Sequence, residues 1–108
     1  MSVITLTQTD QGKSVTLQPG QTLVVELPEN PTTGFRWAIA RNDDATLALR
    51  DSDYAPAAGA GIGGGGRRTF TFVAQKPGNV NLQLKLWREW EGDSSITERF
   101  AATIDVRS

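Results

Sequence analysis

Between Val80 and Leu86 the chain alternates strictly: Val80, Leu82, Leu84 and Leu86 are aliphatic, and Asn81, Gln83 and Lys85 between them are polar. Successive side chains of an extended chain point to opposite faces, so a period of two commits this segment to a strand with one dry and one wet face. A helix would scatter the same residues around its circumference. Phe100, Ala102, Ile104 and Val106 repeat the pattern against Arg99, Thr103 and Asp105. Leu23, Val25 and Leu27 repeat it against Val24 and Glu26, bounded by Pro19-Gly20 before and Pro28 after. Phe70 and Phe72 share a face between Thr69 and Thr71, within a strand expected over residues 68–74, and Phe35, Trp37 and Ile39 share another. Shorter candidates are Val3–Thr7, Ser14–Leu17 and residues 47–53.

Turn chemistry separates these segments. Asp10-Gln11-Gly12, Pro19-Gly20, Lys76-Pro77-Gly78-Asn79 and Glu91-Gly92-Asp93-Ser94 combine residues that fix or free the backbone where a chain reverses. Residues 42–46 could form a turn, but no stripe of helical period follows. Seven to eight short strands in 108 residues predict an all-β fold, an immunoglobulin-like antiparallel β-sandwich, built as a single domain over residues 1–108. With no cysteine there is no inter-sheet disulfide, so the core alone must hold it. Trp37 is the expected central aromatic, surrounded by Phe70, Phe72, Leu82, Leu84, Phe100 and Ile104.

Composition narrows function mainly by exclusion. The chain has neither Cys nor His, which removes thiolate nucleophiles, zinc sites and the imidazole-activated pairs of most hydrolases. The acidic residues are scattered, and Asp43-Asp44 lacks the spaced oxygen ligands of a calcium loop. No enzyme, metal or cofactor is expected. Eleven basic against 12 acidic residues give a net charge of −1 with no basic run, so nucleic acid is not an expected partner. The doublet Arg67-Arg68 reads as a solvated strand end. No apolar run approaches a membrane span, and a monomer is expected. The sequence as written carries no export signal, which fits the cytoplasm if it is complete and the periplasm or exterior if a leader was removed.

Three connections are richer than economy requires, and connections of that kind tend to carry function. In Asn30-Pro31-Thr32-Thr33-Gly34-Phe35, Pro31 fixes its own φ and restricts Asn30, while Gly34 permits a positive φ where the chain turns back. The result is a stiff loop with two hydroxyls at its tip, although an ordinary turn has the same Pro/Gly content. Residues 54–66 are rich in Ala and Gly and offer little except backbone. Such a tract can lie closely along another surface like a substrate strand, or serve as a plain spacer. Residues 87–95 follow the best strand and carry Trp87, Arg88, Glu89 and Trp90. Trp and Arg are enriched in binding hot spots, and equally a tryptophan can cap the end of a sandwich.

Taken in order, the three segments resemble the chagasin family of cysteine-protease inhibitors. Asn30-Pro31-Thr32-Thr33-Gly34-Phe35 matches that family's N-P-T-T-G-Y/F motif in full. The glycine tract corresponds to its G-x-G-G motif, best placed at Gly63-Gly64-Gly65-Gly66, and Arg88-Glu89-Trp90 aligns with its R-P-W motif. The resemblance implies a reversible, non-covalent, competitive inhibitor that forms a one-to-one complex with papain-like cysteine proteases. It also implies roles. Thr32 and Thr33 would enter the cleft beside the catalytic residues, the glycine loop would lie along the non-primed subsites, and Trp90 with Arg88 would pack on the primed side.

Two departures bear on this. Glu89 stands where the family has proline, which loosens the backbone and adds a charge beside Trp90, so a shift in target preference or weaker binding is expected. The glycine tract is longer than its motif, and a second register over Gly61-Ile62-Gly63-Gly64 would make Ile62 the variable contact residue. A different binding module, using Trp87 and Trp90 as a stacking platform for carbohydrate or in adhesion, is the alternative function. A structural or accessory domain of a larger protein is a third.

Overall fold

The computed structural model describes residues 3–56 (Pro31 in its backbone only) and 65–108. Eight strands follow in order: β1 (Val3–Thr7), β2 (Ser14–Leu17), β3 (Thr22–Glu29), β4 (Arg36–Arg41), β5 (Leu47–Pro56), β6 (Gly66–Ala74), β7 (Gly78–Trp87) and β8 (Glu98–Val106). Single 3-10 turns occupy Gln8–Asp10, Pro31–Thr33, Glu89–Glu91 and Asp93–Ser95. Among the described residues no helix is long and apolar enough to cross a membrane.

The strands form two four-stranded sheets in the orders β1-β3-β6-β5 and β2-β8-β7-β4, an immunoglobulin-like sandwich. Pairing is antiparallel except at one edge of each sheet, where β1 runs parallel to β3 and β2 parallel to β8. The first two strands act as one strand divided between the sheets. The division falls at Gly12 (φ 81°), whose amide donates to Ala101 O of the second sheet at 2.8 Å.

Alternation decides which side chains meet in the middle. Leu23, Val25 and Leu27 of β3 face Val80, Leu82 and Leu84 of β7 and Phe100, Ile104 and Val106 of β8 in one apolar cluster. All seven residues expected in the core, Trp37, Phe70, Phe72, Leu82, Leu84, Phe100 and Ile104, are buried there. Each large side chain removed from water contributes roughly 1.5–3 kcal/mol before conformational entropy is charged against it.

The strands run further than the turn residues suggested. β3 continues through Pro28 to Glu29. Proline is tolerated because β1 ends opposite Glu26, leaving β3 with a neighbour on one side only at that point. β5 extends to Pro56 and β6 begins at Gly66, so both ends of the expected 54–66 loop are paired strand. Glu29 pairs with Gly66 and Gly66 with Pro56, while Trp87 pairs with Arg36. The connections after β3, β5 and β7 therefore all leave from one end of the sandwich.

Candidate functional site

That end brings together the first and third motif segments and the base of the second. Asn30 organises the first. Its side-chain Oδ1 accepts the Thr32 amide at 3.1 Å and the Thr32 hydroxyl at 2.7 Å. Its carbonyl accepts the Thr33 amide at 3.2 Å and the Thr33 hydroxyl at 2.7 Å. These four bonds wind Pro31–Thr33 into a 3-10 turn. Both threonine hydroxyl hydrogens point inward, so Thr32 offers outward only the acceptor lone pairs of its oxygen. Gly34 at φ 81° then reverses the chain into β4.

Phe35 does not begin the strand. It precedes β4 half-buried, with the Arg88 guanidinium 4.4 Å from its ring centroid. Arg88 Nε also donates to Thr33 O at 3.2 Å, and Nη1 pairs with Glu91 at 3.4 Å. The Trp90 indole covers Gly34 so closely that a Cβ there would lie 2.7 Å from Cη2. The third segment is shaped from within: the Arg88 amide donates to Ser95 Oγ at 2.9 Å, Thr97 N donates to Leu86 O at 3.0 Å, and Gly92 takes φ 75° between two 3-10 turns. Trp90 remains 72% exposed despite its contact with Gly34. Gly34, Arg36, Trp87, Glu89 and Trp90 line a depression of about 230 Å³ between the two segments.

Trp87 and Trp90 share the lining of that depression but differ in their surroundings. Trp87 lies on the outer sheet face with Lys85 Nζ 3.4 Å from its ring centroid, so that face of the indole is already occupied. Neither residue is a core tryptophan; Trp37 is.

For the glycine tract, Ile62, Gly63 and Gly64, and with them the alternative register, lie outside the described residues. Gly65 is exposed, and Gly66 is a paired residue of β6. A Cβ at Gly66 would collide with the Tyr54 hydroxyl and the Ala55 carbonyl, which is reason enough for glycine at that position. Asn30, Thr33 and Phe35 line a second open cleft, of about 320 Å³, together with Gly65 and Gly66. The first and second segments are thus neighbours as well.

Sequence reading missed the group beneath both. Glu29, the last residue of β3, is 4% exposed. Its carboxylate accepts the Trp37 amide at 2.7 Å and Arg68 Nη2 at 2.9 Å, and the Trp37 indole donates to Pro28 O at 2.8 Å. Arg68 is therefore no solvated strand end; only Arg67 of the doublet is exposed, pairing loosely with Glu26 at 3.4 Å. Among the described residues, no group of three or more Asp or Glu side chains is arranged to hold a metal ion.

Known proteins share this fold. Chagasin of Trypanosoma cruzi is 28% identical over 99 residues, covering 88% of this chain and 90% of the relative. The crystal structure of a cysteine protease inhibitor of Entamoeba histolytica superposes with a TM-score of 0.87 at 20% identity, covering 97% of this chain and 96% of the other. PbICP-C, solved in complex with falcipain-2, superposes with a TM-score of 0.62 at 17% identity over 99% of this chain and 91% of the other. At those identities the two structures establish the shared fold. The model of the chagasin family peptidase inhibitors matches residues 16–104, which include all three segments, and the chain therefore belongs to the chagasin family of peptidase inhibitors.

Proposed function

We propose that this inhibitor acts on papain-like cysteine proteases by filling their active-site cleft with the rim formed by residues 30–35, the glycine segment and residues 88–90. The observation that carries the reading is the packing of the third segment onto the first, through Arg88 on Thr33 O and Phe35 and through Trp90 on Gly34. A rim assembled before binding loses little freedom on docking.

The chemistry suits that target. A cysteine protease keeps a thiolate beside an imidazolium. The outward lone pairs of Thr32 can accept a hydrogen bond from such a cation, and no side chain of residues 30–35 or 88–90 is electrophilic toward the sulfur. Proteases cleave extended backbone, whereas residues 31–33 are wound into a 3-10 turn with the Asn30 and Thr33 carbonyls already bonded internally. This turn resists being drawn into a scissile geometry, so the inhibitor is not consumed. Arg88 supports the first segment from behind, while Trp90 is the exposed apolar contact.

Titration of active papain of known active-site concentration tests the reading. The expected result is stoichiometric one-to-one loss of activity, relieved by excess substrate, with the inhibitor recovered uncleaved. Full activity at micromolar inhibitor would reject it.

A further inference from the structure

The first segment joins β3 of one sheet to β4 of the other, so no backbone ladder closes its base. A side chain does this instead. Glu29 Oε1 accepts the amide of Trp37, the first inward residue after the loop, at 2.7 Å, while Trp37 Nε1 returns a bond to Pro28 O at 2.8 Å. The same carboxylate receives Arg68 through Nε at 3.2 Å and Nη2 at 2.9 Å. Arg68 lies in β6, two residues beyond Gly66, where the second segment rejoins the sheet. Gly66 itself pairs with Glu29.

We propose that Glu29 and Arg68 are positioning residues for inhibition: their ion pair, with Glu29 buried and Arg68 largely so, sets the base of the first segment against the base of the second and fixes the spacing of these two bases. The proposal rests on the inhibitory reading above. Energetics favour a geometric role over a merely stabilising one. A buried ion pair gives up hydration that its attraction barely recovers, and apolar residues of similar volume would hold the sandwich at least as well. What apolar residues could not do is accept the Trp37 amide and define a single separation between the two loop bases.

The experiment compares the parent with Glu29→Gln, Arg68→Met, Arg68→Lys and a control core variant, Ile104→Val, opposite Val80 at the other end of β7. Inhibition constants against papain, thermal melts and amide NMR spectra are recorded for each. With all variants folded at the assay temperature, Arg68→Met and Glu29→Gln are expected to raise the inhibition constant about tenfold through lost preorganisation, with Arg68→Lys in between. Ile104→Val lowers the melting temperature and leaves inhibition unchanged. In Arg68→Met the Thr33, Phe35 and Gly65 amide resonances shift while those of Asn79 and Asn81 hold. Should Glu29→Gln fail to fold, Arg68→Met decides, because methionine keeps the buried stem of the side chain. Parental inhibition by folded Arg68→Met overturns the proposal. If the parent does not inhibit papain, the functional reading fails separately, and the amide spectra still decide: unmoved Thr33, Phe35 and Gly65 resonances overturn the positioning role.

Discussion

The Trp90 indole rests on the backbone of Gly34, with Cη2 at 2.7 Å from the place a Cβ would occupy. One glycine thus meets two demands. Its φ of 81° turns the chain into β4, and its missing side chain seats a tryptophan from a segment more than fifty residues later. The first and third segments are therefore a single surface, and substitutions on one are felt by the other.

Gly34→Ala tests that seat. A left-handed alanine costs roughly 1–2 kcal/mol, and the exposed indole can swing away from the new methyl group, so the domain should fold with a melting temperature several degrees lower. Inhibition should suffer more, because Trp90 loses its place. Parental inhibition of papain by this variant would show that the indole's seat is no part of the inhibitory form.

Trp90→Ala separates binding from stability in the opposite sense. At 72% exposure the ring contributes little to folding, and the melt should stay within about 0.5 kcal/mol of the parent. As a contact anchor its loss should cost about 2 kcal/mol or more of binding, a rise of at least about thirtyfold in the inhibition constant. Equal inhibition by both proteins would remove Trp90 from the contact surface.

Arg88→Lys examines the support behind the first segment. Lysine keeps the charge but has no planar fork to bond Thr33 O while stacking on Phe35. The inhibition constant should rise about two- to twelvefold, about 0.5–1.5 kcal/mol for one net hydrogen bond. Faster dissociation in surface binding to immobilised papain should account for the change.

Glu89→Pro should tighten inhibition. Position 89 opens a 3-10 turn, where an amide has no intrahelical acceptor, and Arg88 before it is already extended (φ −97°, ψ 112°), as a residue preceding proline prefers. Restricting the free segment should gain about 0.4–1 kcal/mol, a two- to fivefold lower inhibition constant. An unchanged or weaker constant would refute the preorganisation argument at this position.

Much of this was legible in the sequence. Alternation identified the inward faces of β3, β6, β7 and β8, and the first motif was complete. What was misread had a visible signal. Continuing Leu23, Val25 and Leu27 by two residues arrives at Glu29, and continuing Ala74, Phe72 and Phe70 backward arrives at Arg68. Each dry face ends in one charge, of opposite sign on the two strands. Pro28 hid the first, because it reads as a strand end unless the neighbouring strand is known to have stopped. The Arg67-Arg68 doublet hid the second, because two adjacent arginines read as a solvated strand end unless the alternation is carried through them.

The sequence by itself determined most of each strand, the composition of the core, the stiffness of residues 30–35 and the absence of thiol and imidazole. These are local properties, written in periodicity and residue type. Only the tertiary structure decided that Arg88 turns inward to Thr33, that Trp90 seats on Gly34, and that Glu29 joins two loop bases. Each of these links elements distant in the chain, and which side chains meet there follows from sheet order and register, which no local pattern encodes.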